Sequence, residues 1–261
     1  MRQFAVIGNP ISHSLSPQLH KEIFRQIEID ASYETLNVLP ENLAQFLLKN
    51  NLDGFNVTIP HKMPITEHLD SVDSAAEKIS AVNCVHNGKG YNTDWIGFLN
   101  ALNINNINLK NKDCLIIGAG GAAYAIAYAL IKCQVSSISV NNRSEKNKDR
   151  LLNWISNIFE NQPRLDPNVI INCTPLGMWP DIQSTPINQE VHHGDVAIDT
   201  IYNPIETSWL KLCREKGAKT IGGLDMFIGQ GIASNNIWLK KNILNNINIK
   251  LIKNVLEEKL C

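Results

Sequence analysis

A lysine and an aspartate stand on two short polar turns of the sequence, each next to a hydrophobic run. Lys62 ends the stretch Asn56-Val57-Thr58-Ile59-Pro60-His61-Lys62, whose alternating apolar residues predict a strand that Pro60 terminates. Asp94 follows Asn-Thr and precedes an apolar helical stretch, which is a typical N-cap position. A lysine can donate a proton and a carboxylate can orient it, so the two are candidates for acid–base chemistry. Taken alone, each is better explained as a surface charge or a helix cap.

Two serines near the N-terminus form a second candidate site. The stretch Gly8-Asn9-Pro10-Ile11-Ser12-His13-Ser14-Leu15-Ser16-Pro17 leaves a predicted strand and starts a predicted helix at Pro17. The hydroxyls of Ser14 and Ser16, beside the unpaired amides of a helix start, suit a carboxylate ligand. The alternative is that Ser16 only caps the helix.

A glycine-rich turn predicts a dinucleotide site. Gly118-Ala119-Gly120-Gly121-Ala122-Ala123 follows the predicted strand 114–117 and opens a helix, which is the context that a dinucleotide fingerprint requires. The glycines let the backbone approach a pyrophosphate, whose charge lies on helix N-terminal amides. The next strand ends in Asn142-Arg143-Ser144 without an acidic residue, and a guanidinium pairs with a 2′-phosphate, so NADP is favoured over NAD. The alternative for Arg143 is a solvated loop residue.

Strand-like and helix-like segments alternate along the chain, which predicts an α/β fold with mostly parallel strands covered by helices. The first hundred residues predict strands at 4–7, 33–38 and 54–59, helices at 17–27 and 41–49, and a hairpin that turns at Asn87-Gly88. Later segments predict strands at 114–117, 136–140, 169–172, 196–199 and 219–221, with helices between them and at 225–240 and 247–259.

The composition favours a small-molecule ligand in a reducing compartment. The 261 residues carry a net charge of −1, which argues against nucleic acid or an anionic membrane as partner. Six scattered cysteines without a Cys-x-x-Cys pair predict free thiols, and His192-His193 is interpreted as a solvated loop, not a metal site. The uncharged run 114–131 contains the glycine turn and is interpreted as strand, turn and helix instead of a membrane span. Because the N-terminus does not have the pattern of a signal peptide, a cytoplasmic protein is expected.

The motifs together resemble one family. Besides those quoted, the chain contains Ala81-Val82-Asn83, Asn92-Thr93-Asp94, and Gly222-Gly223-Leu224-Asp225-Met226 leading to Gln230. In this order and spacing, from about residue 4 to about residue 240, the sequence resembles the shikimate dehydrogenase family, NADP-dependent enzymes of chorismate and aromatic amino-acid biosynthesis. The resemblance implies two α/β domains. Residues 1–98, completed by C-terminal helices in 224–261, would form the substrate domain, and 99–223 the Rossmann-like NADP-binding domain.

The resemblance also implies an activity and its residues. The reaction would be the reversible reduction of 3-dehydroshikimate to shikimate by NADPH, with Lys62 and Asp94 as the catalytic pair. The substrate-binding residues would be Ser14, Ser16, Thr58, Asn83, Tyr202 and Gln230. The cofactor-binding residues would be Gly118, Gly120, Gly121, Ala122, Asn142, Arg143, Ser144, Thr174, Met178 and Gly223. No metal is implied, and the protein would be a monomer or a homodimer.

Departures from the family pattern and rival functions complete the expectations. Asn147 stands where a second basic residue is frequent, and segment 143–172 is short enough to predict a sheet edge trimmed by one strand, beside a more open adenine pocket. An NAD(P)-dependent quinate/shikimate dehydrogenase is disfavoured by Arg143. A methylene-tetrahydrofolate dehydrogenase lacks the serine and Asn-Thr-Asp motifs. A non-catalytic shikimate- or NADP-binding regulator is disfavoured by the presence of both Lys62 and Asp94.

Overall fold

Eleven strands and nine α-helices alternate along the residues that the computed structural model describes, which are 1–160, 162, 166–186 and 195–260. His192-His193 lies outside the described residues. The strands are β1 (Arg2–Gly8), β2 (Ala31–Asn37), β3 (Gly54–Val57), β4 (Ser71–Val72), β5 (Cys84–His86), β6 (Lys89–Tyr91), β7 (Asp113–Ile117), β8 (Ser137–Asn141), β9 (Val169–Asn172), β10 (Val196–Asp199) and β11 (Lys219–Ile221). The helices are α1 (Ser16–Gln26), α2 (Leu43–Lys49), α3 (Ser74–Ile79), α4 (Asp94–Ile104), α5 (Gly121–Lys132), α6 (Glu145–Ile158), α7 (Ser208–Glu215), α8 (Leu224–Leu239) and α9 (Ile249–Glu257).

The chain divides into two units. The first comprises Met1–Gly97 and Ile228–Lys259, and the second comprises Phe98–Phe227 and the C-terminal Leu260. The chain therefore passes from the first unit to the second within α4, and back within α8.

The first unit is built on a six-stranded sheet with the order β2-β1-β3-β5-β6-β4. β1 pairs in parallel with β2 and β3, whereas β5 pairs antiparallel with β3 and β6. The predicted hairpin is confirmed between β5 and β6. Its turn residues Asn87 and Gly88 both have positive φ (49° and 69°), as a type I′ turn requires.

Both faces of this sheet are buried, as the apolar run at the start of the chain indicates. Along β1, Ala5 and Ile7 point into one hydrophobic cluster, and Phe4 and Val6 point into another. Trp238 of α8 stacks on Phe4 with ring centroids 4.7 Å apart. Successive side chains of a strand point to opposite faces, so this alternation shows that helices cover the sheet on both sides.

The second unit has a five-stranded parallel sheet with the order β11-β10-β9-β7-β8. The order reverses between β7 and β9, and ligands of such sheets bind outside the carboxyl ends of the strands at that point. β8 is the outermost strand of the sheet formed by the described residues, in agreement with the trimmed edge expected from the sequence. Residues 161 and 163–165 of the segment 143–172 lie outside those residues.

The long uncharged run 114–131 is divided between β7, the glycine turn and α5, as predicted. Among the helices that the structure describes, none combines the length and the apolar character needed to cross a bilayer. The five cysteines of the described ranges are all free thiols, which confirms that prediction for them.

Candidate active site

Lys62 and Asp94 form an ion pair in the first unit. The Lys62 Nζ lies 2.6 Å from Asp94 Oδ2, and the two side chains are only 17% and 7% exposed. Lys62 lies on the turn after β3. This turn is fixed because the Val82 amide donates to the Lys62 carbonyl (2.7 Å) and the buried His61 ring bonds to the Val38 carbonyl (2.7 Å). The two residues, which are 32 positions apart in the sequence, are thus in direct contact.

Asp94 is the first residue of α4, but its carboxylate does not serve as a helix cap. The helix start is held by Asn92, whose Oδ1 accepts from the Asp94 amide (3.0 Å). Asp94 Oδ2 faces Lys62, and Oδ1 accepts from Asn83 Nδ2 (2.8 Å). Both carboxylate oxygens are therefore engaged by side chains of the candidate site.

Asn83 is the centre of a buried hydrogen-bond network. Its Nδ2 also lies 3.0 Å from Thr93 Oγ1 and 3.5 Å from Gln230 Oε1. Its Oδ1 accepts from the Thr93 amide (2.6 Å), which fixes the orientation of the side-chain amide. The structure thus brings together four of the residues expected in the site: Lys62, Asp94, Asn83 and Gln230.

A second layer of buried polar side chains supports this network. Asn56 Nδ2 donates to the Asn83 carbonyl (3.1 Å) and to Ser234 Oγ (2.9 Å), while Asn56 Oδ1 accepts from the Tyr33 hydroxyl (2.8 Å). Ser234 in turn lies 3.2 Å from Thr93 Oγ1. Buried groups satisfied in this way are held in one arrangement, because any displacement leaves a polar atom unpaired.

The two serines lie together at the start of α1. Ser14 Oγ donates to Ser16 Oγ (3.1 Å) and accepts from the Ser16 amide (3.2 Å). The helix begins at Ser16, one residue earlier than predicted, and its N-cap is Leu15 without a side-chain cap bond. The capping alternative for Ser16 is therefore not observed, and the adjacent hydroxyls remain a candidate for binding an anion.

Thr58 follows β3 on the same segment as Lys62. Its amide donates to the Ile7 carbonyl (2.9 Å), and its carbonyl accepts from the His61 amide (2.9 Å). Within the described part of the chain, its hydroxyl has no hydrogen-bond partner. A partly buried hydroxyl in this position is free to contact a ligand.

The glycine turn of the second unit fits a dinucleotide. Gly118 follows β7 with φ of +108°, a region that favours glycine, and a Cβ there would lie 3.1 Å from the Cys173 backbone. A Cβ on Gly120 would meet nothing within 4 Å, so the space above this residue is open. Gly121 and Ala122 begin α5, whose unpaired amides are suited to a pyrophosphate. The turn lies at the carboxyl end of β7, at the reversal of strand order.

Arg143 follows β8 and is exposed. Its guanidinium has no ion-pair partner among the described residues, and the nearby Glu145 bonds to Lys148 instead (3.0 Å). Asn142 donates to the Ser144 carbonyl (2.9 Å), and Ser144 caps α6. These contacts shape the loop while leaving the guanidinium available for a phosphate.

The residues expected near the nicotinamide, and the expected substrate-binding residue Tyr202, lie on loops that follow β9 and β10. Asn172 Oδ1 accepts from both the amide (2.9 Å) and the hydroxyl (2.7 Å) of Thr174, and Met178 is 44% exposed on the same loop. Tyr202 stacks on Phe227 with ring centroids 4.3 Å apart, within the second unit.

Gly223 packs against the backbone after β10. A Cβ on Gly223 would lie 2.3 Å from the Thr200 carbonyl oxygen, and its amide donates to the Ile201 carbonyl (2.9 Å). Only glycine allows this approach, which explains the residue type at the position.

Four polar residues that touch these sites were not assigned from the sequence. Asn56 and Thr93 stand inside motifs that were quoted, so motif context was the signal that pointed to them, and Asp199 ends a predicted strand. Ser234 had no such signal, because its partner Asn56 is 178 residues away in the chain. Asp199 is buried, and its carboxylate accepts from Asn172 Nδ2 (3.1 Å).

Known proteins resemble the chain over nearly its whole length. A family model described as the shikimate dehydrogenase substrate binding domain matches residues 6–85. The NADP⁺-dependent shikimate dehydrogenase of Clostridium beijerinckii is 35% identical over 259 residues, covering 95% of each chain. A shikimate dehydrogenase solved with NADP⁺ is 36% identical with a TM-score of 0.90, over 100% of this chain and 96% of that one. The Thermus thermophilus shikimate 5-dehydrogenase, solved with NADP(H) and shikimate, is 31% identical with a TM-score of 0.89 over 100% of both chains.

The two α/β units, the dinucleotide turn and the lysine–aspartate pair define an NADP-dependent oxidoreductase that acts on a CH–OH group. Identity of this extent to the C. beijerinckii enzyme identifies the family as well. The chain belongs to the shikimate dehydrogenase family, as the sequence motifs predicted.

Proposed function

We propose that the chain catalyses the reversible NADP-dependent reduction of 3-dehydroshikimate to shikimate, a step of chorismate and aromatic amino-acid biosynthesis. The observation that carries this proposal is the largely buried Lys62–Asp94 pair, 2.6 Å apart, with Asn83 bonded to the second carboxylate oxygen. A pair held in this way is suited to exchange a proton with one oxygen of a bound substrate.

The proton transfer would be carried out by Lys62. NADPH, when bound, supplies the hydride to the C3 carbonyl carbon. The Lys62 ammonium then donates a proton to the carbonyl oxygen, and the amine takes it back in the oxidation of shikimate. Asp94 accepts one hydrogen bond from this ammonium, which orients the other two N–H groups.

Substrate recognition would use the remaining polar groups of the first unit. Ser14 and Ser16 bind the carboxylate, since their hydroxyls lie 3.1 Å apart at a helix start. Thr58, Asn83 and Gln230 would bind ring hydroxyls, and Tyr202 is a further proposed substrate-binding residue.

Cofactor recognition would use the carboxyl end of the second sheet. The turn Gly118, Gly120, Gly121, Ala122 is suited to the pyrophosphate, and Asn142, Arg143 and Ser144 to the 2′-phosphate. Thr174, Met178 and Gly223 would hold the nicotinamide end.

The cellular setting follows from the same proposal. The ligands are small molecules, so neither nucleic acid nor a membrane is required as partner. We infer a cytoplasmic enzyme that acts as a monomer or a homodimer.

Nicotinamide absorbance tests the function directly. Purified protein is mixed with shikimate or quinate and with NADP⁺ or NAD⁺, and the proposal expects the fastest reduction with shikimate and NADP⁺. The Lys62→Ala protein serves as control and should bind both ligands with little turnover. Faster reduction with quinate and NAD⁺ would favour the quinate dehydrogenase alternative. Binding of shikimate and NADP⁺ by the unaltered chain without turnover would favour a regulator.

A further inference from the structure

We propose that Asp199 is a positioning residue for the nicotinamide end of the cofactor site. Its carboxylate holds together the loop segments that carry Thr174, Tyr202 and Gly223. The proposal rests on the proposed function for the roles of these three residues, and it concerns contacts that lie entirely within the second unit.

Asp199 ends β10 and is 1% exposed. Its Oδ1 accepts from Asn172 Nδ2 (3.1 Å) and from the Ile201 amide (3.0 Å), and its Oδ2 accepts from Thr207 Oγ1 (2.9 Å). All three neighbours act as donors. The carboxylate is therefore a shared acceptor for three separate segments.

The first connection leads to Thr174. Because Asn172 gives its Nδ2 to Asp199, its Oδ1 points toward Thr174 and accepts from that residue's amide (2.9 Å) and hydroxyl (2.7 Å). Thr174 Oγ1 then accepts from the Leu176 amide (3.2 Å), so the same hydrogen-bond chain also holds the backbone two residues before Met178. Rotation of the Asn172 amide by 180° would present an oxygen to the carboxylate, so Asp199 selects the orientation.

The second connection leads to Tyr202 and Gly223. Asp199 fixes the Ile201 amide directly before Tyr202. The Ile201 carbonyl accepts from the Gly223 amide (2.9 Å), and Gly223 lies so close to the Thr200 carbonyl that a Cβ would be 2.3 Å from the oxygen. A shift of the 199–201 backbone therefore moves the Gly223 turn as well.

The carboxylate is kept at this position although burial opposes its charge. Desolvation raises the pKa of Asp199 to about 6, despite the hydrogen bonds from Ile201, Thr207 and Asn172, which lower it. Burial raises the pKa of the Cys213 thiol of α7 to about 11, so the thiol is neutral; the charges of Asp199 and Asp195 also raise this pKa, and Lys216 lowers it. A buried acid that titrates near neutrality is more common at functional sites than in purely structural positions.

Removal of the carboxylate tests the proposal. Asp199→Ala should lower kcat with shikimate and NADP⁺ about ten- to hundredfold and raise KM for NADP⁺ several-fold, because small misplacements of reacting groups have effects of this size. KM for shikimate should change less than KM for NADP⁺, since five of the six residues assigned to the substrate lie in the first unit and only Tyr202 lies near Asp199. The matched control is Asp113→Ala. Asp113 is also buried and accepts from Ser137 Oγ (2.7 Å), but it lies at the amino end of β7 in the same sheet.

The isosteric variant Asp199→Asn separates positioning from folding. The amide keeps an oxygen for Asn172 and the Ile201 amide, and its NH₂ faces Thr207, whose hydroxyl can turn to accept. At pH 7.5 we expect kcat about three- to tenfold below that of the unaltered enzyme, with an unchanged fold by circular dichroism. Protonated Asp199 resembles this amide, so the activity ratio of the unaltered enzyme to the variant should fall toward one as the pH drops through about 6. The ratio for Asp113→Asn should stay constant over that range.

Two kinetic results would overturn the role of Asp199. One is an Asp199→Ala enzyme with unchanged kcat and KM for NADP⁺, and the other is a pH-independent ratio for Asp199→Asn. The fluorescence of bound NADPH, which reports on the nicotinamide environment, provides a readout that does not need turnover. Absence of shikimate oxidation by the unaltered protein would reject the proposed function, whereas identical NADPH fluorescence in the unaltered and Asp199→Ala proteins would reject the positioning role.

Discussion

The two units build their candidate sites by different means. In the first unit, Lys62, Asp94 and Asn83 belong to a connected set of side-chain hydrogen bonds that continues through Asn56 to Tyr33. In the second unit, the part proposed for the phosphates consists of backbone turns, open space above a glycine and an exposed arginine without an ion-pair partner among the described residues. The first arrangement is rigid before a ligand arrives, and the second leaves its strongest charge in solvent.

The difference follows from the ligands proposed for the two units. A small ring with hydroxyls and one reacting oxygen requires donors and acceptors in fixed directions, and preorganised groups accelerate the reaction. A pyrophosphate carries its charge over several oxygens and is bound well by helix amides, which need no side chain. The effects of substitutions in the first network on activity should therefore be large and non-additive, whereas a substitution of the exposed arginine should remove one contact.

The largest effect is expected at the proposed catalytic pair. Lys62→Ala removes an interaction made mainly in the transition state, so kcat should fall about 10²–10⁴-fold with a smaller change in KM. Steady-state kinetics of shikimate oxidation measure both constants. A Lys62→Ala enzyme with nearly normal kcat would exclude the lysine from the chemistry.

The double variant tests whether the first unit acts as a network. Asp94→Asn should also lower kcat, because an amide cannot accept from both Lys62 and Asn83 as the carboxylate does (2.6 and 2.8 Å). Both residues act on one oxygen, so the double variant should be less impaired than the product of the single effects. Full additivity would mean independent roles for the two residues.

The exposed arginine should give a smaller and more selective effect. Arg143→Ala removes a charge-assisted contact worth about 1.5–3 kcal/mol, so NADP⁺ binding should weaken about ten- to hundredfold while NAD⁺ binding changes little. Titration calorimetry with each cofactor measures this. The matched control is Arg214→Ala, because Arg214 is also exposed but already bonds to Glu206 (2.8 Å). Equal losses for both cofactors would show that Arg143 does not read the 2′-phosphate.

The stability of the two units should respond to acid in opposite directions. Burial lowers the pKa of His20 in the first unit to about 3, although a hydrogen bond to Asn56 raises it. The unfolded state therefore binds a proton below about pH 6.5 while the folded state does not, so the free energy of unfolding should fall by about 2 kcal/mol between pH 7 and 5. The pKa of Asp199 is raised from 3.8 to about 6. Protonation therefore stabilises the folded state fully below the pKa of the unfolded state, and this stabilisation is lost as the pH rises through 6.

Site-resolved measurement separates these contributions. Between pH 7 and 5, Asp199 should add about 1 kcal/mol of stability to the second unit, opposite in sign to the effect of His20. Amide hydrogen exchange, corrected for the intrinsic pH dependence of the exchange rate, measures the stability of each unit separately. His20→Gln should abolish the acid-dependent loss in the first unit, with Asp199→Asn abolishing the gain in the second. Parallel curves for both units would contradict the assignment.

Local rules explain why much of the fold was predictable. The Asn87-Gly88 turn, the strand before Gly118 and the helix after Gly121 depend on residues a few positions apart, and each formed where the pattern placed it. The carboxyl ends of parallel strands lie at the same edge of a sheet, so the glycine turn after β7 and the loop after the neighbouring β9 lie side by side.

Two features of the site were not predicted from the sequence, one local and one long-range. The start of α1 was predicted at Pro17 with Ser16 as an alternative cap, but Ser14 Oγ accepts from the Ser16 amide and the helix begins one residue earlier. The link from Asn56 to Ser234 joins residues 178 positions apart, and no local pattern encodes it. The sequence therefore identified Lys62 and Asp94, whereas their supporting layer required the folded structure.

The smallest effect is expected at the serine pair, where two readouts distinguish binding from capping. Ser14→Ala and Ser16→Ala should each raise KM for shikimate about three- to tenfold, as loss of about 1 kcal/mol of hydrogen bonding predicts, with KM for NADP⁺ nearly unchanged. Thermal stability should change little for Ser16→Ala, because its hydroxyl caps no helix in the structure. Asn248→Ala is the matched control in the same unit, since Asn248 caps α9 by accepting from the Leu251 amide (3.1 Å). That control should lower stability by about 1 kcal/mol without changing either KM. If Ser16→Ala behaved like the control, the serine would be structural and the carboxylate would have to be bound elsewhere.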